Sequence, residues 1–140
     1  MKCSLLICML CIAALGSTQK QEQSHAGSLG EFTQAPIETV IVQIDQPFVV
    51  RSVTGIIRRD TGDEAPLAQA LFEVRGPDDQ KMIYRSITDD EGRFRIRHLR
   101  SGRYAFKATF AGFQSVVGTI IVSSKADKAK SIAIKMPLGV

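Results

Sequence analysis

The feature that most constrains this chain is a stretch in which apolar and charged residues alternate strictly between two turn clusters. Residues 88–104 read T-D-D-E-G-R-F-R-I-R-H-L-R-S-G-R-Y. Phe94 and Ile96 alternate with arginines, and this period of two is typical of a β-strand with one buried face. The Asp-Asp-Glu-Gly and Arg-Ser-Gly clusters on either side are typical of turns. Turn, strand, turn and strand in succession predict an antiparallel β domain.

The rest of the chain continues this pattern of short apolar or alternating runs separated by turn formers. Runs with strand composition occur at 48–59, 67–75, 81–87, 115–122 and 130–136, and no stretch has convincing helical periodicity. About seven short strands at this spacing predict an all-β sandwich. Gly55 lies inside the first run, where a glycine usually marks the close approach of another backbone or a bulge.

The first 16 residues have the layout of a secretory signal peptide. Lys2 precedes an apolar run from Ser4 to Leu15, and Ala14 and Gly16 are small residues suited to cleavage after position 16. The run is too short to span about 30 Å of hydrocarbon comfortably. All three cysteines lie in this segment, so the mature chain has no disulfide and no cysteine nucleophile. We expect a secreted or periplasmic protein that is not inserted in a membrane after cleavage.

These patterns divide the chain into a signal peptide at 1–16, a flexible tether at 17–47 and a folded domain at 48–140. The tether is rich in Gln, Ser and Gly and lacks apolar periodicity up to about Pro36. Residues 37–44 (I-E-T-V-I-V-Q-I) have strand composition. They are predicted either as an extra strand of the sandwich or as a segment that pairs with a partner.

Four motifs resemble the carboxypeptidase regulatory-like domain. They are V-T-G-I-I-R-R-D from Val53, P-L-A-Q-A-L-F-E-V from Pro66, the 88–104 stretch, and A-G-F from Ala111. The resemblance covers about residues 50–136 and implies a transthyretin-like (prealbumin-like), Greek-key β-sandwich, a fold grouped with carbohydrate-binding-like sandwiches. Gln69 departs from the family pattern, which usually has glycine there. The turn and core residues that the resemblance implies to be fold-defining are Gly55, Asp89, Gly92, Phe94, Leu99, Gly102, Tyr104 and Gly112.

The arginines of the alternating strand are the one feature that maintenance of the fold does not explain. Arg93, Arg95 and Arg97 point to one side, roughly 6.5 to 7 Å apart by strand geometry. In the implied topology this strand pairs with the first strand, which adds Arg58 to the same outer face. One interpretation is a solvated face that discourages edge-to-edge aggregation. The other is an anion-binding surface for acidic polysaccharide, an envelope phosphate or an acidic protein partner.

The residues favour a non-enzymatic accessory or interaction module without cofactor or metal. His98 is the only histidine of the folded part and is predicted as a surface residue at a strand end, so no set of nucleophile, base and orienting group is identified. The acidic loops lack the spacing of a calcium site and are explained by Asx turns. The mature chain has 17 basic and 14 acidic residues, a mild excess that does not indicate nucleic acid.

Two alternatives come from other functional classes. A carbohydrate-binding module would use exposed aromatics, for which Phe32, Phe48 and Phe113 are the candidates in a chain without tryptophan. A small transthyretin-like hydrolase is disfavoured because that resemblance would require several histidines and a tyrosine-arginine tail, whereas the chain ends M-P-L-G-V. The sequence predicts neither the oligomeric state nor the identity of the ligand.

Overall fold

The computed structural model describes residues 32–35, 40–76 and 82–139. The predicted signal peptide at 1–16, the tether up to residue 31, residues 36–39 and the turn residues 77–81 lie outside the described residues. Within the described ranges, no helix has the length and apolarity that crossing a bilayer requires.

In the part of the chain that the structure describes, nine strands form the two sheets of a β-sandwich. They are β1 (Ile41–Gln43), β2 (Phe48–Val50), β3 (Val53–Arg59), β4 (Leu71–Arg75), β5 (Ile83–Ile87), β6 (Arg93–Ile96), β7 (Gly102–Thr109), β8 (Ser115–Val122) and β9 (Ile132–Met136). The larger sheet has the order β1-β8-β7-β4-β5, with β2 also paired to β8, and the smaller sheet has the order β6-β3-β9. The prediction of an all-β, transthyretin-like Greek-key sandwich is confirmed, with nine strands instead of about seven.

The core lies between the two sheets and is built from the inward residues of alternating strands. The ring of Phe72 in β4 stacks on Phe94 in β6 with centroids 3.9 Å apart, and on Phe106 in β7 at 5.5 Å. Ala70 and Val74, predicted to point inward with Phe72, are fully buried. Phe94 joins the two sheets, so the apolar face of the alternating strand closes the core.

The run 48–59 forms two strands in different sheets, which corrects its interpretation as a single strand. β2 pairs in parallel with β8, whereas β3 pairs with β6 and β9. Val50 and Val53 are both buried, yet they are three residues apart. Because side chains alternate with a period of two, a continuous strand cannot place both on one face. The chain passes from one sheet to the other at Arg51 and Ser52.

Parts of the segment predicted as a tether pack on the sandwich, including the 37–44 segment that was left open as an extra strand. Ile41–Gln43 forms β1, which pairs in parallel with β8 and so belongs to the chain's own sheet. The backbone N–H of Ile44 then donates to the carbonyl of Val117 at 2.8 Å. Further upstream, Phe32 is buried and Thr33 hydrogen-bonds to Glu73 of β4. Backbone pairing and burial therefore order segments that composition alone marked as linker.

Candidate anion-binding site

A tight turn carries the chain from β5 in the larger sheet to β6 in the smaller sheet. Asp89 Oδ1 accepts the backbone N–H groups of Glu91 at 3.0 Å and Arg93 at 2.9 Å, which makes the turn an Asx turn. Gly92 has a φ of 73°, and a Cβ atom on it would lie 2.5 Å from the carbonyl oxygen of Ile57. Only glycine fits this position, and the turn fixes where the arginine strand begins.

The glycine in β3 marks a close backbone approach and not a bulge. A Cβ on Gly55 would lie 2.1 Å from the carbonyl oxygen of Ile132 in β9 and 2.7 Å from the Phe94 ring. On the opposite side of the sheet, Thr54 stands across from Arg95 and Ile56 across from Arg93. The arginines of β6 therefore share the outer face of the smaller sheet with the outward residues of β3.

The other residues assigned to turns and core have structural contacts. Leu99 is partly buried against the core, and Tyr104 Oη donates to the carbonyl oxygen of Arg100 at 2.8 Å. Gly102 begins β7 with a φ of 159°, and Gly112 has a φ of 84° in the turn before β8. The packing of Leu99 and the Tyr104–Arg100 hydrogen bond hold the C-terminal end of the segment that carries the arginines.

Arg93 is engaged by its own turn. Its Nε lies 3.2 Å from Asp89 Oδ2 and its Nη2 lies 2.8 Å from Glu91 Oε2. The backbone N–H of Arg93, followed by its guanidinium, lowers the pKa of Asp89, and the carboxylates of Glu91 and Asp89 raise the pKa of Arg93. The side chain of Arg93 is therefore paired with the two carboxylates of its own turn, unlike those of Arg95 and Arg97.

Arg95 and Arg97 are exposed and form no ion pair with any described residue. Both line a shallow depression of about 730 Å³ along the outer face of β3 and β6. Its wall includes Ile87, which is 60% exposed. The remaining lining combines apolar, hydroxyl and charged groups from Thr54, Gly55, Ile56, Ser86, Asp89, Arg93, Phe94 and Ser131.

A second depression, of about 410 Å³, adjoins the first and shares Arg95 and Arg97 with it. Its lining adds Arg51 and His98 and contains no acidic residue. The Arg51 guanidinium donates to the carbonyl of Ser124. We call the two depressions together the arginine cleft, defined by Arg51, Arg95, Arg97 and His98. The three arginines of the second depression form no ion pair with a described residue and create a local positive field.

Two members of the arginine cleft were not predicted from the sequence. Arg51 was assigned to the middle of a strand, and His98 was assigned to the surface without a role. Val53 pairs with Ile96 in the antiparallel register of β3 and β6, so the residues just before Val53 lie near those just after Ile96. This register alone is therefore sufficient to predict that Arg51 lies near His98.

Arg58 shares the outer face but lies at its other end. It is four residues beyond Thr54, the partner of Arg95, or about 13 Å along the strand. Its neighbour across the sheet is Lys135, whose ammonium pairs with Glu64. This pairing lowers the pKa of Glu64 and raises that of Lys135. The four predicted arginines thus separate into Arg95 and Arg97 in the cleft, Arg93 in the turn and Arg58 in a mixed-charge patch.

The three aromatic residues considered for sugar binding are not exposed platforms. Phe32 is buried, Phe48 packs on Phe106 with centroids 5.9 Å apart, and Phe113 packs on Phe110 at 5.5 Å. Their prediction as exposed candidates is corrected, because Phe32 is buried beside Arg75 and the rings of Phe48 and Phe113 pack against the core. Within the described ranges, no group of three or more histidine, cysteine or acidic residues is placed to hold a metal ion.

The two packed sheets define the class of a β-sandwich domain. The model of the carboxypeptidase regulatory-like domain matches residues 52–136, and the chain belongs to this family. Domains of this family are non-catalytic modules. The comparison with curated proteins found no match.

Several solved structures are similar to this chain at a distance. Two are interface mutants of a type II cohesin–X-dockerin complex from Acetivibrio cellulolyticus, each 26% identical. Their TM-scores are 0.40 and 0.42, and the matches cover 61% and 63% of this chain. A third is chlorocatechol 1,2-dioxygenase from Pseudomonas putida, at 12% identity and a TM-score of 0.41, covering 74% of this chain and 66% of that one. The chain spans 56% and 58% of the two cohesin-complex chains. Similarity at these TM-scores does not indicate a shared function.

Proposed function

We propose that this chain is an exported, non-enzymatic interaction module that binds an acidic envelope or extracellular partner through the arginine cleft. The observation that carries the proposal is that Arg95 and Arg97 are exposed and unpaired with any described acid. Both are exposed, neither is paired with a described acid, and both line the two adjoining depressions. An arginine with a purely structural role in a turn is expected to be paired, as Arg93 is, whose guanidinium contacts two carboxylates.

The chemistry of the cleft favours carboxylate, phosphate or sulfate groups. Guanidinium groups bind these anions through two parallel hydrogen bonds, and their charge is permanent. Arg95 and Arg97 are two residues apart, so their Cα atoms are separated by roughly 6.5 to 7 Å. This spacing suits a partner that carries more than one negative charge along its length.

The larger depression also offers groups for the uncharged part of such a partner. Ile56 and Ile87 contribute apolar surface, and the hydroxyls of Thr54, Ser86 and Ser131 are available beside them. A ligand with a polar, partly apolar body and acidic substituents satisfies both kinds of contact. Acidic polysaccharides and acidic protein segments have this composition.

The test is binding of the mature protein to dextran sulfate and to poly-glutamate at low and high salt. We expect Arg95→Ser/Arg97→Ser to weaken binding at least about tenfold, since each lost charge-assisted contact contributes on the order of 1 kcal/mol. Arg103 is an exposed residue of β7 and, like Arg58, lines neither depression. The matched control is therefore Arg58→Ser/Arg103→Ser, which removes the same charge outside the cleft and should retain most of the affinity. High salt should weaken binding of the unmodified protein because exposed charges are screened.

Equal losses in the two double variants would contradict the proposal, because they would indicate attraction by net charge alone. Binding to neutral glycans that persists at high salt would also contradict it and would identify a carbohydrate-binding module. Circular dichroism of each variant verifies that the sandwich is folded before binding is compared.

A further inference from the structure

The outer face of the larger sheet holds charged side chains that are buried. Glu73 lies at the centre of β4 and points away from the core, because its neighbours Phe72 and Val74 point into it. In register with Glu73 are Arg85 on β5 and Lys107 on β7. Glu73 is 0% exposed and Lys107 is 1% exposed, although they lie on the side of the sheet that faces away from the sandwich core.

A short N-terminal segment binds this face through two adjacent residues, which we call the Phe32–Thr33 clasp. The backbone N–H of Thr33 donates to Glu73 Oε2 at 2.9 Å, and Thr33 Oγ1 donates to Glu73 Oε1 at 2.9 Å. Arg85 Nε donates to the same Oε1 at 2.8 Å. Phe32 is 4% exposed, and the guanidinium of Arg75 lies 5.6 Å from its ring centroid, within cation–π distance.

These contacts select a particular pair of residues. A buried carboxylate is stable only where hydrogen-bond donors or cations satisfy it. Thr33 supplies two donors to Glu73, one from its backbone and one that requires a hydroxyl side chain. Two residues further along β4, Arg75 lies over an aromatic ring. The clasp itself lies outside residues 52–136, which the family model matches, whereas Glu73 and Arg75 lie within them.

We infer that the outer face of β4 is a peptide-binding site for an aromatic residue followed by threonine, and that this chain's own Phe32–Thr33 occupies it in cis. A partner peptide with the same pair binds there only by displacing the clasp. The site is distinct from the arginine cleft, which lies on the outer face of the other sheet.

The test uses the full chain and a fluorescent peptide of residues 29–35, L-G-E-F-T-Q-A. Phe32→Ala/Thr33→Val removes the ring and the hydroxyl of the clasp and so weakens its competition for the site. This variant should bind the peptide at least about tenfold more tightly than the unmodified chain, in which the complete clasp competes. Addition of Glu73→Gln to that variant should abolish the gain. Addition of Arg95→Ser/Arg97→Ser should leave it unchanged, which separates this site from the arginine cleft. The peptide L-G-E-A-V-Q-A, which lacks both side chains of the clasp, should not bind.

Equal peptide affinity in the unmodified chain and the Phe32→Ala/Thr33→Val chain would overturn the inference. A dimer that requires Phe32 and Thr33, detected by light scattering, would overturn the cis assignment because it would place the clasp on a second copy. A measurement on the unmodified chain keeps the test valid if Glu73→Gln fails to fold. Hydrogen exchange at the Thr33 amide should be protected, and exchange at the rate of an unstructured chain would equally overturn the inference.

Discussion

The outer faces of the two sheets are built from the same alternation of apolar and charged residues, but solvent reaches only one of them freely. On the smaller sheet, Arg95 and Arg97 alternate with buried Phe94 and Ile96 and are exposed. On the larger sheet, Glu73 alternates with buried Phe72 and Val74 and is itself buried under the Phe32–Thr33 clasp. The period of two specifies the direction of each side chain, whereas solvent access depends on what else in the chain packs there.

This difference changes the energetic role of charge. An exposed arginine keeps its hydration, so its removal costs little stability and its guanidinium is available to a ligand. A buried carboxylate has lost its hydration and depends on its hydrogen-bond partners. The open face is therefore directly available to other molecules, while the covered face is occupied by a segment of the same chain.

The largest expected effect is that of Glu73→Ala. Removal of this carboxylate leaves Arg85 without its partner and eliminates both hydrogen bonds that hold Thr33. Breaking a buried charged network by removing one member costs about 3 to 5 kcal/mol, and the half-exposed Arg85 side chain places the expectation near 3 kcal/mol. Arg95→Ala on the open face should change the free energy of unfolding by less than about 0.5 kcal/mol.

Urea unfolding of the two variants beside the unmodified chain measures this contrast. Glu91→Ala serves as the control for loss of an exposed acid. A Glu73→Ala variant as stable as Glu91→Ala would show that the clasp and its carboxylate contribute nothing to the fold.

A smaller effect is expected at two positions with left-handed backbone. His98, in the arginine cleft, and Gln69, before β4 of the larger sheet, both have a φ of 63°. This conformation costs a non-glycine residue about 1 to 2 kcal/mol, part of which glycine returns through its greater freedom in the unfolded chain. His98→Gly and Gln69→Gly should therefore each stabilise the protein by about 0.5 to 1 kcal/mol.

Only one of these two substitutions should affect binding of an acidic ligand. His98→Gly removes a side chain of the arginine cleft and should lower affinity for dextran sulfate two- to threefold. Gln69→Gly should leave affinity unchanged. Thermal unfolding and dextran sulfate binding are measured for both variants, and a stabilised His98→Gly variant with unaltered affinity would show that His98 is not part of the binding site.

Local features of the sequence were sufficient to predict the open face. The Asp89–Gly92 turn and the alternation of Phe94 and Ile96 with arginines depend on residues within a few positions of each other, and the structure retains both. Gln69, which stands where the family usually has glycine, even retains the positive φ that a glycine would adopt. The turn and the alternating strand of the open face could therefore be predicted from short-range turn chemistry and strand periodicity.

Contacts between distant residues could not be predicted in the same way. Thr33 meets Glu73 across 40 positions, and no periodicity marks either residue as a member of a pair. Arg51 reaches the arginine cleft because the chain changes sheets between β2 and β3, a step that the continuous apolar composition of 48–59 conceals. The predicted set of arginines was limited in a similar way. The alternation of side chains along a strand placed Arg58 on the correct face but gave no information on its distance from Arg95.

The smallest expected effect concerns the exposed ion pairs of Asp89 on the open face. The pKa of Asp89 lies below its ordinary value of 3.8, mainly because the backbone N–H and the guanidinium of Arg93 stabilise the carboxylate. A lowered folded-state pKa means that this contribution is present above pH 3.8 and is lost as the pH falls through the folded-state value. Asp89→Asn keeps an oxygen acceptor for the turn but loses the charge, so it should be slightly less stable than the unmodified chain at pH 7. The difference should vanish at the acid end of a pH series of urea midpoints.

Asp127→Asn is the matched control, because Asp127 accepts the Ala129 N–H at 2.9 Å in a similar turn without an arginine partner among the described residues. A stability difference for Asp89→Asn that is the same at pH 7 and at strongly acidic pH would show that the turn geometry, and not the charge, is what the carboxylate supplies.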